Sequence, residues 1–381
     1  MIRHRTSLSI LGLMGLVTAF TACRKETPEE TPDAGPGGPT WTPTPYTVEV
    51  PPTLSAMPIP ADNPFTVEGI RLGRFLFYEE RLSGNNTQSC ASCHAPEVAF
   101  TDHGNQFSVG IDGIAGNRNS MAIQNVAWES SYFWDGRAAT LEEQILQPVE
   151  NPIEMHETWP NAVAKLEADS VYPTLFLRAF GTPGITKERA AKAMAQFLRT
   201  MISGDSRFDK FMRGEEQLSV EEQLGFQLTL LEGGIPPAVP LGQGGADCFH
   251  CHPHGGGRFT DGILRNNGLD PQSAWTDLGL GGWTGLPQDM AKFKTPSLRN
   301  VALSAPYMHD GRFQTLEEVI EHYNSGGHPS TTIDPNMKFT TGGLQLSAEK
   351  KAQLIAFLHT LTDTAFVNNP AFHDPGPPTL E

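Results

Sequence analysis

At 381 residues the chain is long enough for two domains of ordinary size, and 43 acidic against 27 basic residues, a formal net charge of −16, argue against a nucleic-acid partner. With 38 glycines and 31 prolines much of the chain must be loop, and five cysteines are too few for a disulfide framework once the two motifs described below have taken four.

Arg3, His4 and Arg5 precede an apolar run from Leu8 to Phe20, which ends in Thr21-Ala22-Cys23. This pattern marks residues 1–22 as an export signal, too short for a membrane-spanning helix. A cysteine at the cut has the form of a bacterial lipoprotein box, so a lipid anchor at Cys23 is expected. Residues 23–62 are rich in Pro, Thr, Glu and Gly and read as a flexible tether, with order beginning near Asn63.

Leu72, Phe75, Leu76 and Tyr78 recur at helical spacing and predict a first helix over 67–78. A second starts at Thr140, capped with Glu143 three residues on, and is expected to end at Gln147 before Pro148 and Pro152. Helices are also predicted over 161–168, 186–201, 219–231, 315–323 and 347–361, most of them opened by a Ser or Thr cap. No strand-rich region and no repeat at the level of sequence is expected, although the order helix, C-x-x-C-H, long loop, helix occurs twice. The expected fold is mainly α, with two cytochrome c-like domains over 63–220 and 221–381.

The chemistry is concentrated in Cys90-Ala91-Ser92-Cys93-His94 and Cys248-Phe249-His250-Cys251-His252. Each is a complete C-x-x-C-H, the signature of covalent haem c: two thioethers tether the porphyrin and the adjacent imidazole reaches the iron. The alternatives for a lone C-x-x-C are a zinc knuckle or a redox dithiol. Here both copies carry the histidine, and no further cysteine pair exists to complete a zinc site. Such haems are attached outside the cytoplasm, which agrees with the export signal and places the chain on the periplasmic side of a membrane.

Four further motifs stand between and after the haem sites: Phe133-Trp134-Asp135-Gly136-Arg137, Asn151-Pro152-Ile153-Glu154-Met155, Thr295-Pro296-Ser297-Leu298-Arg299-Asn300, and Ala305-Pro306-Tyr307-Met308-His309-Asp310-Gly311. On these motifs the chain resembles, from about Leu72 to Leu361, the bacterial di-haem cytochrome c peroxidase superfamily. Within it the chain looks like the MauG-type branch, which includes the methanobactin-associated di-haem enzymes. The resemblance implies that His94 is the proximal ligand of a peroxide-reactive haem, with Gln144 and Glu154 as its distal pair and Pro148 crowding that pocket. A carboxylate there can carry a proton between the two peroxide oxygens. Trp134 would lie between the haems, able to carry an electron or a hole. Asn119, with the backbone carbonyls of Ser304 and Pro306, would hold calcium, an oxygen-only site in keeping with that ion.

Two departures from other peroxidases narrow the resemblance. Where those enzymes carry a blocking histidine, this chain has Ile111, so the first haem should be open; His103 is the only nearby alternative. The second haem would have His252 as proximal ligand. Its far face would take Tyr323, fourteen residues after His309, where other members bring a methionine. The implied function is oxidation, after reaction with hydrogen peroxide, of a residue in a periplasmic partner protein. In the methanobactin-associated branch that residue is a tryptophan of a copper-associated partner. Ala246 stands where MauG has a surface tryptophan that relays the hole outward, leaving Trp275 and Trp283 as candidate exits. The rival functions are peroxide reduction with electrons from a small cytochrome c, and electron transfer without catalysis.

Overall fold

The computed structural model describes residues 39–234, 239–240 and 242–381. The expected export signal and Cys23 lie outside the described residues. The helices are α1 (Val67–Phe77), α2 (Leu141–Glu150), α3 (Trp159–Glu167), α4 (Tyr172–Phe180), α5 (Lys187–Thr200), α6 (Arg207–Met212), α7 (Val220–Leu230), α8 (Leu280–Thr284), α9 (Leu316–Ser325), α10 (Ala348–Thr360) and α11 (Thr364–Val367). Two two-residue strands, β1 (Leu264–Arg265) and β2 (Phe293–Lys294), pair antiparallel. No helix among the described residues is long and apolar enough to cross a membrane.

The caps fall where the hydroxyls predicted them. Thr140, Ser219 and Thr315 each close a capping box with Glu143, Glu222 and Glu318 respectively. The second helix differs from expectation, because α2 runs through Pro148 to Glu150. Proline removes only the amide that would bond to Gln144 O, and so near the helix end the geometry survives that loss. The α4 helix was not predicted. It begins Tyr172-Pro173 without a side-chain cap and ends at Gly181, whose φ of 76° ends the helix as few other residues could.

Two helix pairs carry the fold, and both cross at a glycine. On α1, a Cβ at Gly73 would sit 2.0 Å from Ala193 O of α5; on α7, a Cβ at Gly225 would sit 1.9 Å from Gln353 O of α10. Around the first pair lies a core that includes Leu72, Leu76, Trp159, Phe176 and Phe197; around the second, one built on Phe208, Phe259, Phe357 and Leu361. Packing departs from a simple division at 220. Phe208 and Leu218 belong to the second core, while Phe366, Val367 and Phe372 return to the first. Arg74 of α1 fastens that returning tail through His373 O at 2.8 Å.

The tether was expected to reach residue 62, but the chain is packed from Trp41 onward. Trp41 N donates to Gly181 O, Thr44 N and Oγ1 bond to the Glu68 carboxylate, and Leu54 is buried beside Ala127 and Trp128. The physical reason is that a few apolar anchors in a Pro-rich stretch suffice to seat it, and average composition does not weigh them.

The expectation of no repeat is also overturned. At a constant offset the segments beginning at Asn125 and Asn300 adopt the same structure. Both asparagines have φ near 55° and open a short 3-10 turn. Tyr132 and Tyr307 each donate 3.0 Å hydrogen bonds back to the first residue of that turn, Val126 O and Val301 O. Asp135–Arg137 and Asp310–Arg312 ion pairs follow, then the capping boxes of α2 and α9. The signal was present as Asn-Val-Ala, Asp-Gly-Arg and Thr-Leu-Glu-Glu in both copies, and only side-by-side reading reveals it. In this register Trp134 matches His309, Gln144 matches Val319 and Pro148 matches Tyr323.

Candidate active site

The site begins with how each C-x-x-C-H motif is held. Cys90–Ser92 and Cys248–His250 are single 3-10 turns, which bring the two cysteines and the following histidine to one side of the chain. His94 Nδ1 lies 2.8 Å from Phe100 O and His252 Nδ1 lies 3.0 Å from Phe259 O. A carbonyl accepts, so Nδ1 carries the proton and Nε2 is left as the free ligand nitrogen. Phe100 and Phe259 both have positive φ, 59° and 53°, which turns each carbonyl towards its imidazole. Each opens a Phe-Thr-Asp triplet, a paired signal that the sequence reading missed. Ser120 Oγ lies a further 3.3 Å from His94 Nδ1.

Burial pushes the Cys90 and Cys248 thiols up to about 12, and Cys93 and Cys251 up to about 11. A redox dithiol needs a lowered thiol pKa, so this environment disfavours that alternative.

Cys90, Cys93 and His94 face a cavity of about 640 Å³, within the size range of cofactor sites. Gln144, Pro148 and Glu154 line it, together with Trp134, Asn119, Ser304 and Pro306. The residues therefore fit a haem attached at the first motif: two thiols, an imidazole with its ligand nitrogen free, and a cavity of sufficient volume. His94 is the one histidine among the lining residues. Gly110 of the 108–116 loop lines the cavity, whereas Ile111 lies near Gly84 and its amide donates to Glu154 O. His103 is not a lining residue. Its ring is half-exposed and sits 3.5 Å from Glu97, so the structure does not support it as a ligand here.

Glu154 is held from several sides. Asn151 Nδ2 donates to Glu154 Oε1 at 2.6 Å, while Asn151 Oδ1 accepts from Ile153 N. A Cβ at Gly110 would meet Ile153 O at 2.2 Å, so the loop backs directly onto this turn. Burial raises the Glu154 carboxyl above the ordinary glutamate value, against the opposing effects of Asn151 and Arg137. A carboxyl poised upward in a cleft is the usual property of a proton-transfer group. Asn151 opens the Asn-Pro-Ile-Glu-Met motif, and only the folded turn reveals its grip on Glu154.

Trp134 Nε1 donates to Asn119 O at 2.8 Å, and Asn119 N donates to His309 O at 2.7 Å. Asn119 is buried, with its Nδ2 on the carbonyls of Asn105 and Gln106. His309 stacks on Phe293 at 3.6 Å with the rings 9° from parallel. In the second half, Tyr323 is half-buried and accepts a 3.3 Å hydrogen bond from Asn267 Nδ2. Burial pushes its phenol up to about 12, with Cys251 and Cys248 close enough to add to the shift. Ala246 is buried. Of the two candidate exits, Trp275 is anchored to Asp270 O at 3.3 Å and Trp283 is 66% exposed.

The profile of the family described as "Di-haem cytochrome c peroxidase" matches residues 67–217. The methylamine utilization protein MauG of Methylophilus methylotrophus is 34% identical over 311 residues, covering 80% of this chain and 86% of that protein. The cytochrome-c peroxidase IdrP1 of Pseudomonas sp. (strain SCT) is 31% identical over 355 residues, covering 86% and 88%. Among solved structures, a MauG-like protein associated with microbial copper homeostasis superposes with a TM-score of 0.74. It is 36% identical and is matched over 87% of this chain and 99% of that one.

Proposed function

The chain belongs to the di-haem cytochrome c peroxidase family, whose members are peroxide-dependent oxidoreductases, and from that premise we propose that it uses hydrogen peroxide to oxidise a tryptophan of a partner protein. The observation that carries this reading is the first cavity. Gln144, Pro148 and Glu154 line it, and among the described residues His94 is the only histidine that does.

Two haem c groups, one per half at His94 and His252, supply the redox chemistry when bound. The chain's own part is positioning and proton handling. Glu154, held by Asn151, takes a proton from one peroxide oxygen and returns it to the other. The Gln144 amide orients peroxide without changing the charge of the site, and Pro148 narrows the space beside it. Trp134, fixed through its indole N–H, provides an oxidisable ring between the two halves. Calcium would draw on Asn119 and the backbone carbonyls of Ser304 and Pro306, three residues that line the same cavity.

At the second site His252 and Tyr323 would hold the haem iron. A phenol with a pKa near 12 must lose its proton to bind iron, and the Asn267 N–H directed at its oxygen stabilises the resulting charge. Tyr323→Phe should therefore change the resting optical and paramagnetic spectra of the second haem alone. An unchanged spectrum removes Tyr323 from the ligand set.

On this reading the chain is exported and anchored by lipid at Cys23, and the partner it oxidises is periplasmic. The copper-homeostasis relative supports a copper-associated partner, and the exposed Trp283 is the stronger exit for the oxidation. The test is to treat the holoprotein with peroxide in the presence of the protein encoded beside it and to analyse both by mass. Oxygen added to a partner tryptophan supports the proposal. An unmodified partner, with rapid peroxide turnover at the expense of a reduced small cytochrome c, supports the cytochrome peroxidase reading favoured by the IdrP1 likeness.

A further inference from the structure

A second cluster of ligating groups stands outside the cavity, against the second C-x-x-C-H motif. Glu232, Asp247 and His250 each bring one ligand atom to within 4.8 Å of the others. His250 Nε2 lies 3.1 Å from Glu232 Oε1 and 3.2 Å from Asp247 Oδ1. The Asp247 side chain is only 6% exposed, and both its carboxylate oxygens are buried without a hydrogen-bond partner. Asp247 also has φ 63°, a left-handed conformation that non-glycine residues adopt at a cost.

The cluster is arranged around positive charge. Lys338 Nζ reaches Glu232 Oε2 at 2.5 Å, His250 Nε2 at 3.2 Å and Asp247 Oδ2 at 3.4 Å. His250 Nε2 stands between the Glu232 carboxylate, which can only accept, and this ammonium, which can only donate; in the tautomer protonated at Nδ1 it presents its lone pair to the ammonium. In that tautomer two carboxylates and an imidazole lone pair converge on one place, and without a cation they would repel. Their spacing has a second meaning. Ligands about 2.0–2.1 Å from a tetrahedral ion are roughly 3.3 Å from each other, close to the two His250 separations.

We propose that Glu232, Asp247 and His250 form a binding site for a borderline divalent transition-metal ion, Zn²⁺ or Cu²⁺, which displaces the Lys338 ammonium. One imidazole with two carboxylates suits these ions, whereas calcium and magnesium prefer oxygen alone. Lys338 is half-exposed on a flexible stem and can swing into water. His250 is not one of the haem-attaching residues, and its ring packs on Phe249 at 4.1 Å between the two attachment cysteines. A bound ion would therefore lie directly on the haem-attachment segment of the second half.

The test uses untagged holoprotein freed of adventitious metal with a chelator, then titrated separately with Zn²⁺ and Cu²⁺. One equivalent should bind, and the copper form should show nitrogen coupling from a single imidazole in its paramagnetic spectrum. His250→Gln and Asp247→Asn should each weaken binding at least about tenfold, with the haem spectra as the check on folding. Lys338→Met removes the competing cation and should tighten it. The proposal is overturned if no equivalent binds, if binding survives both weakening variants, if Lys338→Met leaves the affinity unchanged, or if excess Ca²⁺ displaces Zn²⁺.

Discussion

Glu154→Gln is expected to slow the reaction of the holoprotein with hydrogen peroxide by about two to four orders of magnitude, the usual worth of a positioned proton-transfer group. Glutamine keeps the volume and can still meet the Asn151 amide that now binds Glu154 Oε1, so the turn from Asn151 to Met155 should be undisturbed. What is lost is the ability to accept a proton. The measurement is the second-order rate of the optical change after rapid mixing with peroxide, at equal haem content. The pH dependence carries an independent sign. Burial raises the Glu154 carboxyl, so the wild-type rate should fall as pH drops through a value above the ordinary glutamate range, where the base is protonated. The variant should lack that limb. A rate within a few-fold of wild type, with the acid limb retained, would take Glu154 out of the proton-transfer role.

Asp209→Ala should lower stability by about 3–5 kcal/mol, the cost of stripping one partner from a buried ion pair. Asp209 and Arg299 are almost wholly enclosed, with side chains 2% and 0% exposed, and the guanidinium grips both carboxylate oxygens at 2.7 and 2.8 Å. The same carboxylate caps α6 by accepting from Ser206 N and Oγ. Removing it leaves Arg299 charged and buried. Chemical unfolding followed at the second core is the measurement, and Asp209→Ala combined with Arg299→Met should recover part of the loss because no orphan charge remains. The linkage can be read by sign. Burial opposes the charge on Asp209, but the bonds from Arg299 and Ser206 hold its carboxyl below the usual value. The pair's contribution is therefore complete above about pH 4, where an unfolded aspartate titrates, and is lost as pH falls through the lower folded value. The variant should show a shallower acid limb.

Much of the site was legible because its chemistry is bound to sequence-local spacing. Two thiols and an imidazole within five residues announce themselves, and the 3-10 turns at Cys90 and Cys248 hold them as the pentapeptides require. Caps at Thr140, Ser219 and Thr315 were readable for the same reason, since a hydroxyl and a carboxylate three residues apart satisfy each other's backbone. The proposed distal residues became readable only through the resemblance. Nothing local to Glu154 says that it lines one cavity with His94, sixty residues away along the chain.

The pairing of the two halves shows where pattern reading stopped. The Asn-Val-Ala turn, the Asp-Gly-Arg pair and the Thr-Leu-Glu-Glu cap repeat in fixed register, and this shared frame makes their differences meaningful. One helical position carries Pro148 in the first half and Tyr323 in the second; one turn before it stand Gln144 and Val319. The first half thus keeps an amide and a compact ring near its cavity, and the second presents a phenol.

By itself the sequence determined the attachment chemistry, the helical class and most helix starts, because each depends on groups within a few residues of one another. The tertiary structure alone decided the rest. It seated Trp41 to Leu54 on the folded body, crossed the helices at Gly73 and Gly225, and gathered Glu232, Asp247, His250 and Lys338 around one charge. These are contacts between distant segments, set by packing and charge compensation after the chain has closed, and no local pattern encodes them.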